Sequence, residues 1–113
     1  MAQQRQRAAS RIHRRYQVRF RGGHQAILGF TGDLSERGLQ IQTRQPYVKG
    51  SRLVIDLHTP AGVLQLTGVV RRVDPHGLRD FMMGIELIHP DLLYIGFVRS
   101  LRNPAREDSS PGG

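Results

Sequence analysis

The 113-residue chain has no cysteine and no tryptophan, a single lysine, and no acidic residue before Asp33. Without cysteine there is neither a disulfide staple nor a thiolate metal site. The five histidines (His13, His24, His58, His76 and His89) are scattered, and none sits at i, i+3 or i, i+4 from another histidine or a suitable carboxylate in a way that suggests a metal site, so no metal centre is expected. No apolar run approaches the ~20 residues of a membrane-spanning helix. No apolar segment follows the basic start as in a secretory leader, and a cytoplasmic protein is expected. A glycine-rich phosphate loop and a Ser/His/Asp arrangement are also missing. Asp56 and Glu86 fit exposed strand positions better than a catalytic pair, so no enzyme is expected.

Arginine is what the chain has instead. Seven arginines fall within the first 21 residues, and residues 1–32 contain no acid to pair with them. The rest of the chain carries ten basic and nine acidic groups, so the net charge of +8 belongs almost wholly to the N-terminal end. The arginine fork matches phosphate and guanine edges bidentately and stacks on rings, which a lysine ammonium does not do. A segment of such groups without internal partners is suited to meeting an anion.

The length suits one domain with one modest core. Residues 1–10 are polar and predicted to form a flexible arm, and residues 103–113 (NPAREDSSPGG) a disordered tail. Between them the apolar residues recur with period two, as in half-buried strands. Strands are predicted at 16–21, 25–31, 39–43, 52–57, 63–73 and 81–88, with turns at Gly22-Gly23, 33–38, 59–62 and 74–77 and a loop at 44–50. After Asp91, a candidate N-cap, Leu92, Leu93, Ile95, Phe97, Val98 and Leu101 follow helical spacing. Six short strands with Gly/Pro turns, then one helix, predict an all-β fold: a six-stranded antiparallel barrel over 11–102 with a C-terminal helix laid over one end.

Two motifs stand in order along this pattern. Arg11-Ile12-His13-Arg14-Arg15 reads RxxxR just before the first strand, and Asp33-Leu34-Ser35-Glu36-Arg37-Gly38 reads D-x-S-x-x-G after the second. Arg15 and Arg19 also have RxxxR spacing, but Arg19 alternates with Val18 and Phe20 inside a strand, which favours Arg11/Arg15. Gly84-Ile85-Glu86-Leu87 closes the last strand. In this order and spacing the chain resembles the PilZ domain family along nearly its whole ordered length. The resemblance implies a receptor for cyclic di-GMP, a bacterial second messenger. It assigns Arg11, Arg15 and the helper Arg14 to guanine and phosphate, and Asp33 and Ser35 to the facing wall, with Arg37 a further candidate. Gly38 is assigned a turn conformation closed to residues with a Cβ. The arm, up to residue 15, is expected to be loose in the free protein and to dock over the ligand, signalling to a protein partner in motility, secretion or exopolysaccharide control.

Two other readings compete. A basic arm on a small barrel also fits a nucleic-acid binder, although Tyr16, Phe20, Phe30 and Phe81 fall on faces that read as buried, leaving few rings for base stacking. A PilZ barrel without nucleotide, acting only through protein contacts, is the third.

Overall fold

A computed structural model describes residues 11–102. Its strands are β1 (Ile12–His13), β2 (Gln17–Arg21), β3 (Ile27–Ser35), β4 (Gly38–Thr43), β5 (Arg52–Thr59), β6 (Gly62–His76) and β7 (Asp80–Leu87), followed by the helix α1 (Leu92–Arg102). Every pairing is antiparallel, and the sheet order β1-β3-β2-β5-β6-β7-β4 is closed by a β3–β4 pairing. The result is the expected six-stranded barrel, β2 to β7, with β1 added as a short seventh strand outside the ring.

Alternation along each strand supplies the core. Leu53, Ile55 and Leu57 of β5 point inward with no exposed surface, and across the β2–β5 register Val18 faces Leu57 and Phe20 faces Ile55. On the opposite wall Leu39 faces Ile85 and Ile41 faces Met83. Each such side chain contributes about 1.5–3 kcal/mol on full burial. Helix α1 closes one end. Asp91 caps it, its Oδ1 accepting from the Tyr94 amide at 3.0 Å.

The buried stripe of α1 is Tyr94 and Val98, flanked by Phe97 and Leu101. This i, i+3, i+4, i+7 set differs from the expected one. Leu92 and Leu93 lie outside the stripe and are 82% and 71% exposed. Tyr94, absent from the expected set, is the largest fully buried side chain among the described residues.

Two strands run furthest past their expected ends. β6 continues through Asp74 and Pro75 to His76, where a turn is predicted from the sequence. β3 continues to Ser35, so the predicted turn at 33–38 shrinks to Glu36 and Arg37, a two-residue link between Ser35 and its partner Gly38. Asp33 and Ser35 therefore stand on a strand of the barrel wall. Among the described residues no helix is long and apolar enough to cross a membrane.

Candidate functional site

A β-bulge builds the site. Between Thr31 and Leu34 the β3–β4 register shifts. Thr31 and Leu34 both end inside the barrel, while Asp33 and Ser35 are left half-buried on the outer wall. Next to them lies an outer cleft of about 240 Å³ lined by Arg11, Asp33, Ser35, Gly38 and Gln40 on one side and by residues of β6 and β7 on the other. Arg11 Nη1 lies 3.6 Å from Asp33 Oδ2, and His13 Nδ1 lies 3.1 Å from Asp33 Oδ1. The Asp33 amide donates to Gln40 Oε1 at 3.0 Å, and Ser35 Oγ donates to the Gly38 carbonyl at 3.3 Å. A carboxylate held beside a guanidinium in this way offers an acceptor and a donor fork within one cleft.

Gly38 serves a different purpose from the one expected. Its backbone is not left-handed; among the described residues the positive-φ glycines are Gly50, Gly62 and Gly77. A Cβ at Gly38 would overlap the carbonyl oxygen of Ile85 on β7. The glycine lets β4 and β7 approach closely under the cleft.

The link is held from beneath by α1. The Tyr94 hydroxyl donates to the carbonyls of Ser35 at 2.8 Å and Gly38 at 3.2 Å. Burial pushes its ionisation well above the ordinary phenol value, so it remains a donor. Glu36 is gripped by two arginines of the last helical turn, with Arg99 Nε and Arg102 Nη2 each 3.0 Å from Oε2. The hydrogen bond from Arg99, joined by that from Arg102, holds the Glu36 carboxyl below the usual carboxylate range against the opposing effect of burial. The spacing of Tyr94 with Phe97, Val98 and Leu101 is the signal that would have found the first of these contacts. The Glu36 grip brings residues more than 60 positions apart together and left no local trace.

The lead-in to the barrel is bonded to β3 before residue 15. Ile12 and His13 pair with Leu34 and Asp33. The buried Thr31 hydroxyl donates to the Arg14 carbonyl at 2.6 Å and accepts from the Tyr16 amide at 2.8 Å. The Tyr16 ring packs against Phe97 of α1, with centroids 5.6 Å apart. Of the segment expected to be loose, the part from Ile12 onward makes these contacts with β3 and α1. The arm expected at 1–10 and the tail expected at 103–113 lie outside the described residues.

The predicted arginines separate. Arg11 enters the cleft with Asp33, Ser35 and Gly38. Arg14 turns its Nη1 to the His13 carbonyl at 2.9 Å, and Arg37 is exposed at the hairpin tip. Arg15 stacks 4.0 Å over the Phe30 ring and lines a second outer cleft with Gln42 and Asp80. Phe30, expected on a buried face, is 38% exposed, because Gly29 and Thr31 are the residues that turn inward. Arg19 is exposed on β2 opposite Asp56. One register escaped notice: Arg7-Ala8-Ala9-Ser10-Arg11 also spells RxxxR and ends on the arginine that reaches the cleft.

A family model described as PilZ domain matches residues 5–96, a span that includes Arg7. The chain belongs to the PilZ domain family. None of the curated proteins matches it in sequence. Among solved structures it is similar to the inhibitor of motility MotI/DgrA of Bacillus subtilis, with a TM-score of 0.70 and 14% identity, covering 89% of this chain and 51% of that one. It is also similar to the PilZ domain of YcgR from Escherichia coli, solved with c-di-GMP, with a TM-score of 0.70 and 15% identity, covering 89% of this chain and 95% of that one. A third is MrkH of K. pneumonia in its c-di-GMP complex, with a TM-score of 0.67 and 18% identity, covering 88% and 53%. The chain spans about half the length of MotI/DgrA and of MrkH and nearly all of the YcgR domain. These likenesses establish the barrel, and the site rests on this chain's own residues.

Proposed function

We propose that the chain is a receptor for cyclic di-GMP, binding it in the outer cleft at the β3–β4 hairpin and signalling to a protein partner. The observation that carries this is the placement of Arg11 3.6 Å from Asp33, beside Ser35 and Gly38. Guanine has complementary needs: O6 and N7 accept from an arginine fork, while N1–H and N2–H₂ donate to a carboxylate. Each good bidentate pair is worth about 1–3 kcal/mol.

The cleft, at about 240 Å³, is smaller than the ~300–1,000 Å³ of ordinary ligand pockets. It holds part of a bis-guanine ligand, and a cover must come from elsewhere. Because the chain is tied to β3 from Ile12 onward, the covering segment in this reading is the one before Arg11, with Arg7 and Arg11 as the RxxxR pair. Ordering it costs about 1–2 kcal/mol per residue, which the charge-assisted contacts to the ligand offset. Such an ordering step is a plain way to present a new surface to a partner.

Calorimetric titration of cyclic di-GMP, GMP and single-stranded DNA at two salt concentrations tests the proposal. The expected result is saturable binding of the cyclic dinucleotide and much weaker binding of GMP. Tighter binding of DNA with a steep loss at high salt would assign the barrel to nucleic acid instead. No binding of any of the three would leave a protein-interaction barrel.

A further inference from the structure

The far wall of the cleft carries two arginines that belong to neither motif. Between Val70 and Arg72 the β6–β7 register shifts by one residue: Val70 faces Ile85, yet Arg72 faces Gly84, and Arg71 is the extra residue. In an uninterrupted strand Arg71 would point outward and Arg72 into the barrel, where a guanidinium without a partner is very costly. The bulge turns both outward, and Val73 takes the inner side instead. Arg71 and Arg72 thereby line the same cleft as Arg11, Asp33 and Ser35. The residue beside Arg72 is Gly84, and the nearest atom to a Cβ built there is the Arg72 Cβ at 3.8 Å, so the floor next to this wall is open.

We propose that Arg71 and Arg72 are ligand-binding residues of this cleft that take the phosphate oxygens of the bound dinucleotide. The inference rests on the receptor reading above and adds the residues that hold its phosphates. Without ligand, each guanidinium is occupied by a carboxylate: Arg71 Nε lies 2.6 Å from Glu86 Oε1, and Arg72 Nη2 lies 2.9 Å from Asp74 Oδ2. These carboxylates keep the guanidinium groups extended along the outer wall. They are also replaceable. Arg71 and Glu86 are 57% and 58% exposed, Arg72 and Asp74 are 73% and 53% exposed, and such pairs hold by no more than about 1 kcal/mol. A phosphate offers a bidentate partner of the same sign and fits the fork as well. Division of labour follows: Asp33 and Arg11 take base edges on one wall, and the bulged pair takes phosphate on the other.

The test titrates cyclic di-GMP into the full chain and into Arg71→Gln, Arg72→Gln, the double variant and Glu86→Gln, with a melting curve for each. Each arginine variant should bind roughly tenfold more weakly, the worth of one charge-assisted hydrogen bond. The double variant should lose more than either single one, and melting should be little changed, because both side chains stand outside the core. Glu86→Gln should bind severalfold more tightly, since it frees Arg71 for the ligand, a gain that a merely structural role would not produce. Wild-type affinity in a folded double variant overturns the inference and leaves the receptor reading intact, as does a fall in affinity on Glu86→Gln matching that of Arg71→Gln. Failure of the wild-type chain to bind cyclic di-GMP removes the receptor reading itself, and the inference with it.

Discussion

Tyr94→Phe is the sharpest probe of how the helix supports the site. The substitution deletes one oxygen and leaves the buried ring, so packing in the barrel end stays as it is. What it removes is the donor to the Ser35 and Gly38 carbonyls, at 2.8 and 3.2 Å. A net hydrogen bond is worth about 0.5–1.5 kcal/mol, and a buried acceptor left without its donor costs about 1–3 kcal/mol. The Gly38 carbonyl keeps the Ser35 hydroxyl at 3.3 Å, and Ser35 and Gly38 still pair across the two-residue link, so neither carbonyl is orphaned and the smaller figure applies. The expected cost is about 0.5–1.5 kcal/mol, which for a domain of this size lowers the melting temperature by about 4–8 °C per kcal/mol. The two carbonyls flank the hairpin link that bounds the cleft, so cyclic di-GMP affinity should fall together with stability. Urea denaturation and calorimetry on the same preparation measure both. Stability within about 0.3 kcal/mol of wild type would refute the argument, because it would mean that solvent satisfies those carbonyls as well as Tyr94 does.

The remaining predictions concern the cleft and its clamp. Arg11→Ala should weaken cyclic di-GMP binding about 10- to 100-fold, as for loss of charge-assisted bonds, with little change in melting. Arg7→Ala should behave alike, whereas Arg15→Ala should cost threefold or less, about the worth of an exposed cation–π contact. The reverse order would restore the Arg11/Arg15 register. Gly38→Ala should destabilise the barrel by about 1–3 kcal/mol, because the added methyl meets a backbone carbonyl of β7 that cannot move alone; an unchanged melting curve would contradict this. The depressed Glu36 pKa sets a pH dependence. The Glu36 contribution is present above the ordinary carboxylate range and is lost as pH falls through the lower folded-state value. Glu36→Gln should therefore be less stable than wild type at pH 7, by about 1 kcal/mol or less as for exposed pairs. The gap should close in strong acid; a gap that persists there would remove the ion pair as its cause.

Much of the barrel was legible from residue order because strand alternation is a local property. Leu53, Ile55 and Leu57 declare an inward face by themselves, and the Asp91 cap announces the helix. The motifs on which the receptor proposal rests were legible too, since Asp33, Ser35 and Gly38 lie within six residues and the arginine excess lies in one segment. Boundaries were less so. The extension of β3 through Asp33 to Ser35 depends on pairing with β4 and β1, which no window of a few residues contains.

By itself the sequence determined the antiparallel barrel, the closing helix and the presence of a guanidinium-rich segment ahead of a D-x-S-x-x-G hairpin. Only the tertiary structure decided which arginines share a cleft. Two bulges, at 31–34 in β3 and at Arg71 in β6, reverse the side-chain alternation on facing walls. One swings Asp33 and Ser35 outward, and the other swings Arg72 outward beside Arg71. The physical reason is that a bulge is set by how two strands fit around a closed ring, while the pattern within either strand alone points Arg72 inward and leaves Arg11 and Arg15 equivalent.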